Sequence, residues 1–273
     1  MFENKVVVIT GAGSGIGRAL AGNLAARGAR LALSDINSAE LADTNALLPA
    51  GCEARSYPLD VSSRDAVFAH ADQVFADFGT AHFVFNNAGT STLAMFEDVT
   101  VEEMEKVIQI NLWGVIYGTK AFLPRMMAQR EGCIVNTSSV FGLLATPCSV
   151  AYTISKFGVR GLTETLWQEL QGTGVRAVLV HPGGINTNIP KNSLAATHES
   201  ETANAMMAAN VRQMTTSPES CAEQIIAGIV KGKKRILVGN GASMLHLISR
   251  LFPDNYGALI NRKMGYQPER INR

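Results

Sequence analysis

Short β-branched runs alternate with amphipathic stretches along almost the whole chain, and this rhythm constrains the fold more than any other feature. Residues 6–10 read as a buried strand and 16–27 as a helix, with Gly28 just past its end. Further strands are predicted at 30–35, 52–58, 81–86, 132–138 and 175–181, with a last edge strand at 235–238. Helical patterns fill the spaces at 38–48, 63–78, 101–130 (one or two helices), 150–170 and 218–231. Parallel strands need crossover connections, and helices that make them cover both faces of the sheet. Right-handed crossovers make such a sheet doubly wound, with its ligand crevice at the carboxyl ends of the strands. No Pro/Gly/Ser-rich linker or internal repeat divides the 273 residues. The expectation is one α/β domain with a parallel sheet of about seven strands.

Composition narrows the function classes. With 47% hydrophobic and 17% charged residues, the chain has ample material for a core and none of the signature of disorder. A net charge of +1 gives no overall footprint for nucleic acid, and the one dense basic run is Lys231-Gly-Lys-Lys-Arg235. Cys52, Cys133, Cys148 and Cys221 lack metal-like or CxxC spacing and read as reduced thiols. No apolar run is long enough to span a membrane, and residues 1–5 lack a signal peptide's pattern. A cytoplasmic protein is the expectation, and no metal site is indicated.

The informative residues fall just after strands. Thr10-Gly-Ala-Gly-Ser-Gly-Ile-Gly17 joins the first strand to the first helix. Its glycines do not follow the simple GxGxxG spacing, yet a turn without side chains lets backbone approach a diphosphate beside a helix N-terminus. Gly11, Ser14, Gly15, Ile16 and Gly17 are therefore candidate cofactor residues. Asp35 ends the second strand, where a carboxylate accepts hydrogen bonds from a ribose 2′-OH and repels a 2′-phosphate. Its bland alternative is a cap for the helix beginning near Ser38. Asp60 and Val61 follow the third strand, and Asn86-Asn87-Ala88-Gly89 the fourth, placed to flank the adenine and floor the crevice.

Tyr152 and Lys156 lie four apart at the start of a helix, hence on one face. A nearby ammonium favours a phenolate and makes the phenol a usable acid or base. Ser139 follows the fifth strand thirteen residues upstream, with Ser138 as the competing hydroxyl. Asn111 is a polar residue in an apolar helical run. His70 and His82 read as surface or packing residues. His181 ends a strand and is a minor candidate for the pocket, and His198 and His246 lack metal-ligand partners.

Together these residues resemble the short-chain dehydrogenase/reductase family over about residues 5–190, with a looser fit to 238. The match comprises the Thr-Gly-x-x-x-Gly-x-Gly turn at 10–17, Asn-Asn-Ala-Gly at 86–89, Asn111, Ser139, Tyr152, Lys156, and Pro182-Gly183 followed by Thr187. The resemblance implies a Rossmann-type fold, a nicotinamide cofactor and a catalytic tetrad. In that tetrad Tyr152 moves a proton and Ser139 holds the substrate oxygen. Lys156 lowers the phenol's pKa and binds the nicotinamide ribose, while Asn111 holds a water linking Lys156 to solvent. Pro182, Gly183, Ile185 and Thr187 are assigned to the cofactor as well, the last two at the carboxamide.

The activity so implied interconverts a secondary alcohol and a ketone, with NAD favoured over NADP because of Asp35. Arg18, near the glycine turn, is the argument for NADP. An epimerase or dehydratase using the cofactor transiently, or a non-catalytic dinucleotide sensor, is the alternative. Residues 1–240 form the catalytic domain, with 188–217 as a lid carrying Met206, Met207 and Met214. Phe141, Leu143, Leu144 and Thr146 suggest an apolar pocket wall and a lipophilic or bulky substrate. Residues 241–273 form an extension whose apolar stripe includes Met244, Leu245, Leu247, Ile248, Leu251 and Phe252. Packing on the domain or on a second subunit of a homodimer or homotetramer is its expected use. Peripheral membrane contact, helped by Lys231, Lys233, Lys234, Arg235 and Arg250, is the minority reading.

Overall fold

The computed structural model describes residues 1–187, 193, 194, 197 and 201–264. Its centre is β1 (Val6–Thr10), whose five residues are all buried. Val7 and Ile9 face one core, with α1 (Gly15–Ala25) and α8 (Pro218–Val230) over them. Val6 and Val8 face the other, beneath α3 (Arg64–Phe78), α5 (Gly114–Gln129) and α6 (Val150–Glu169). A strand apolar on both sides belongs inside a sheet covered twice, and β1 does so.

The remaining strands are β2 (Arg30–Asp35), β3 (Ala54–Pro58), β4 (Phe83–Asn86), β5 (Gly132–Thr137), β6 (Val175–Pro182) and β7 (Arg235–Val238). All pair in parallel, in the order β3-β2-β1-β4-β5-β6-β7. This is the Rossmann-like, seven-stranded single domain expected from the alternation. The order reverses between β1 and β4, so the loops leaving those two strands part and open a crevice.

Local chemistry sets the helix starts. The Asn37 side chain caps α2 (Ser38–Ala46) by accepting from the Ala39 and Glu40 N–H groups, so Asp35 is not the cap. The Ser63 side chain caps α3 by accepting the Ala66 N–H. Thr100 and Glu103 form a reciprocal capping box on α4 (Val101–Ile108). The stretch 101–130, read as one or two helices, is α4 and α5 joined by a π-helical turn, Gln109–Trp113. Of the proposed lid, 188–192, 195, 196 and 198–200 lie outside the described residues, as does His198. Glu201–Gln213 is a helix, α7. The extension folds as α9 (Ala242–Leu251) and α10 (Tyr256–Met264), divided near Pro253. Among the described residues no helix is long and apolar enough to cross a membrane, and no cluster of metal-binding side chains occurs.

Three histidines take different places. His82 is partly exposed, and its Nδ1 accepts the Val6 N–H. His70 is buried against the Tyr57 and Phe122 rings, with neither ring nitrogen hydrogen-bonded. His181 is fully buried, with Nδ1 2.7 Å from the Ser139 carbonyl oxygen. Burial pushes both His70 and His181 down to about 4. The unfolded chain therefore takes up protons between pH 6.5 and 4 that the folded chain refuses, and stability falls as pH falls through that window. Each histidine contributes up to about 3 kcal/mol to the loss. Urea unfolding at pH 7 and 4.5 should show it, and His70→Leu should remove about half of the difference. An unchanged slope in that variant would contradict the assignment.

Candidate active site

The glycine turn rises from β1 into α1 and packs against the loop after β4. Gly11 has φ +67°, and a Cβ there would meet the Ala88 Cα at 2.8 Å. A Cβ on Gly17 would lie 1.9 Å from the Gly11 carbonyl oxygen. Both positions need the bare backbone, and both keep the turn tight enough to leave a cradle beside the α1 N-terminus. Ser14 precedes the helix in an extended conformation, and its hydroxyl makes no capping bond. Asn87 ties the two loops together: its amide donates to the Thr10 carbonyl and its N–H to the Thr10 hydroxyl. The residues present thus fit a diphosphate bound to backbone.

A cavity of about 700 Å³ runs from this cradle across the carboxyl ends of the strands. Gly11, Ser14, Gly15 and Ile16 line it; Gly17 lies behind the turn. Asp35, Asp60 and Val61 line one end, and Asn87, Ala88 and Gly89 the middle. Pro182, Gly183, Ile185 and Thr187 line the far wall. The Asp35 carboxylate is held in place, one oxygen accepting the Gly13 N–H at 2.8 Å and the other the Asn37 N–H at 3.0 Å. The Arg18 guanidinium is engaged by the Thr44 hydroxyl and the Gly13 and Glu40 carbonyls.

Ser139, Tyr152 and Lys156 meet on the same cavity wall. Ser138 also lines the cavity, but its hydroxyl is engaged, donating to the Lys156 carbonyl at 2.8 Å. Ser139 precedes a short 3-10 turn, Val140–Gly142, and its Oγ accepts the Phe141 N–H. Its carbonyl is anchored by His181, which supports the site from below and is absent from the cavity wall. The Lys156 ammonium is buried, donates to the Thr137 carbonyl at 3.1 Å and sits 5.4 Å from the Tyr152 ring centroid. Burial lowers it to about 8.

In these surroundings desolvation outweighs the lowering of the phenol expected from Lys156. Burial raises the Tyr152 pKa, and the opposing influence is a hydrogen bond from the Ser139 hydroxyl. Asn111 stands behind the wall in the π-helical turn, fully buried. Its amide accepts the Thr90 N–H and donates to the Thr90 carbonyl, both at 2.8 Å, and also donates to the Ser155 hydroxyl. A π turn re-aims one side chain in an otherwise helical run, and here it aims Asn111 at the loop after β4.

A family model described as short chain dehydrogenase matches residues 5–198. The chain belongs to the short-chain dehydrogenase/reductase family. A Mycobacterium tuberculosis protein named as an oxidoreductase, SadH, is 45% identical over 262 residues, covering 95% of each chain. Human estradiol 17-beta-dehydrogenase 11 is 32% identical, covering 95% of this chain and 83% of its own. A Burkholderia phymatum short-chain dehydrogenase/reductase solved with NAD superposes with a TM-score of 0.83 at 31% identity, covering 98% of this chain and 97% of that one. Structural neighbours carry either NAD or NADP.

Within this family member much of the remaining cavity wall is apolar. Phe141 and Leu144 line it as the sequence suggests, with Thr146, whereas Leu143 is buried elsewhere. Met207 and Met214 reach the cavity, but Met206 packs beside Cys148 and Ala203. What the sequence reading missed is the extension: Met244, Leu245 and Ile248 of α9 and Leu259 and Ile260 of α10 also line the cavity. The Tyr256 hydroxyl accepts the Ala145 N–H and ties α10 to the loop beyond the 3-10 turn. An amphipathic stripe announces that a helix packs; it does not say on what. Ser155 and Thr90 were also missed, since their parts lie in contacts and not in motif positions.

The cradle supplies a direct test. Gly17→Ala forces the turn away from α1 and should weaken NADH binding more than tenfold in a fluorescence titration. Circular dichroism should still report a folded α/β protein. Unchanged affinity would mean that the turn is not the dinucleotide cradle.

Proposed function

We propose that the chain is an NAD(H)-dependent oxidoreductase that interconverts a lipophilic secondary alcohol and its ketone, with Tyr152 as the acid and base. The observation that carries this is the Tyr152 phenol beside the Ser139 hydroxyl and a buried Lys156, at the foot of an apolar wall in the dinucleotide cavity. The nicotinamide, when bound, accepts or delivers the hydride. The protein's own residues manage the oxygen and its proton.

In the reducing direction the ketone oxygen accepts hydrogen bonds from the Ser139 hydroxyl and the Tyr152 phenol. The raised phenol pKa keeps its proton in place at neutral pH until negative charge develops on the oxygen. As that proton leaves, the Lys156 cation near the ring stabilises the phenolate in a site with little water. In the oxidising direction the phenolate takes the alcohol proton. Asn111 acts from behind by clamping the Thr90 backbone next to Gly89, and so holds the floor on which Lys156 rests.

Tyr152→Phe removes only the proton carrier. It should reduce kcat by on the order of a hundred- to ten-thousand-fold while leaving NADH affinity unchanged. Loss by only a few-fold would refute the role. A screen of secondary alcohols and ketones that follows NADH absorbance gives the substrate and sets steady turnover apart from isomerisation without net cofactor change.

Cofactor preference rests on Asp35 and Arg18. A 2′-phosphate about 5 Å from the fixed carboxylate would cost about 3 kcal/mol per unit charge at an effective dielectric of about 20. Arg18, already held by three oxygens, is not free to offset it. The ratio of kcat/KM for NAD over NADP should therefore be on the order of a hundredfold, and Asp35→Asn should narrow it. A native preference for NADP would overturn this part of the reading. Assembly into a homodimer or homotetramer belongs to the same proposal, with Trp113, Ile154 and Phe157 exposed on the α5–α6 side as an apolar face for it.

A further inference from the structure

Charge is divided unevenly along the chain. Residues 231–273 carry nine Lys/Arg against two Asp/Glu, a net +7, whereas the preceding 230 residues are net −6. The fold gathers part of this excess at one edge. Helix α9 packs back along β7, and Arg250 near its end lies close to Arg235 at the start of that strand. Burial lowers the pKa values of Arg235 and His246, and Arg250 lowers both further, as neighbouring positive charge must. Glu164 pairs with Arg160 and Arg235. Among the described residues no acidic side chain pairs with Arg250, Lys231, Lys233 or Lys234, and all four are exposed.

The same edge is apolar at its outer surface. Leu245 and Ile248 turn inward to the cavity, whereas Met244, Leu247 and Leu251 form an outward stripe, 45%, 57% and 62% exposed. Phe252 continues the stripe at 49%. Met244 and Leu259 belong to both surfaces, lining the cavity while about half exposed, so the stripe reaches the cavity mouth. Outward leucines and phenylalanine flanked by uncompensated lysines and arginine are what an interfacial helix presents to an anionic bilayer.

We propose that this edge docks on an anionic lipid surface and sets the mouth of the cavity against the lipid. Charge selects the occupant. A second copy of the chain meeting this face symmetrically would bring two cationic edges together, whereas acidic headgroups complement them. Docking would let an apolar ketone or alcohol pass from lipid to the site without crossing water. That consequence rests on the lipophilic-substrate reading; the docking does not.

Flotation of the full-length protein with vesicles, without substrate, tests the docking alone. The vesicles are equimolar phosphatidylglycerol and phosphatidylcholine, or phosphatidylcholine only, at low and at high salt. Binding is expected to the anionic vesicles and to fall at least tenfold with high salt or without phosphatidylglycerol. Leu247→Ser with Leu251→Ser, and separately Lys231, Lys233 and Lys234→Gln, should each weaken it by at least tenfold. Both variants should keep the parent's turnover of a short, water-soluble alcohol, which shows that they fold. Absence of vesicle binding by the parent overturns the proposal, as does equal binding by parent and variants. If the leucine variant instead dissociates an oligomer in analytical ultracentrifugation, a second copy covers the face and the proposal also fails.

Discussion

Everything at the site depends on β1 being buried on both faces between β2 and β4. Its neighbours leave it no freedom to shift, and the chain reverses its direction of travel across the sheet at that point. Loops after β1, β2 and β3 then lean one way, and those after β4, β5 and β6 the other. The dinucleotide cradle and the Ser139–Tyr152 pair are the two banks of a single cleft made by strand order. Partly exposed ion pairs such as Lys5–Glu131 and Arg30–Glu53 add little to this, since pairs of that kind are worth about 0–1 kcal/mol. The sheet and its two cores carry the geometry.

The geometry of the candidate cofactor bank was largely legible because its residues are constrained by backbone. A glycine that would collide with a carbonyl, or an acid closing a strand, is visible as a residue type at a place. The catalytic bank was legible in kind and ambiguous in register. Ser138 and Ser139 are adjacent, and at a strand end neighbouring side chains point to opposite sides, so one residue decides which hydroxyl is left to donate into the cavity. The Lys156 carbonyl takes up the Ser138 hydroxyl, a contact that no motif position displays. The π turn at Asn111 and the support of Ser139 by His181 left no periodic trace. The extension was read as a stripe in need of a partner, and that partner turned out in part to be the cavity itself.

The electrostatics of the catalytic bank run against the simplest pairwise picture. Burial moves Tyr152 up and Lys156 down, so desolvation pulls both toward their neutral forms before their mutual attraction acts. Burial makes the phenol hold its proton more tightly, whereas the ammonium, at about 8, comes close to exchanging its proton at mildly alkaline pH. The Thr137 carbonyl fixes the ammonium, and the Ser139 hydroxyl opposes the rise of the phenol. Position, more than charge alone, defines this pair.

The division of the cavity wall has a consequence for how such a protein can diversify. The cradle and the Ser139, Tyr152 and Lys156 cluster belong to elements that hydrogen-bond or pack against the sheet, where change is felt by the cores. The apolar wall comes in part from Phe141 and Leu144 and in part from α9 and α10, which follow the final strand. Those helices can be lengthened, tilted or given other side chains with no strand register at stake. Phe141 and Leu144 tie one part of the wall to the stretch between Ser139 and Tyr152, while the part from α9 and α10 can change without disturbing the sheet.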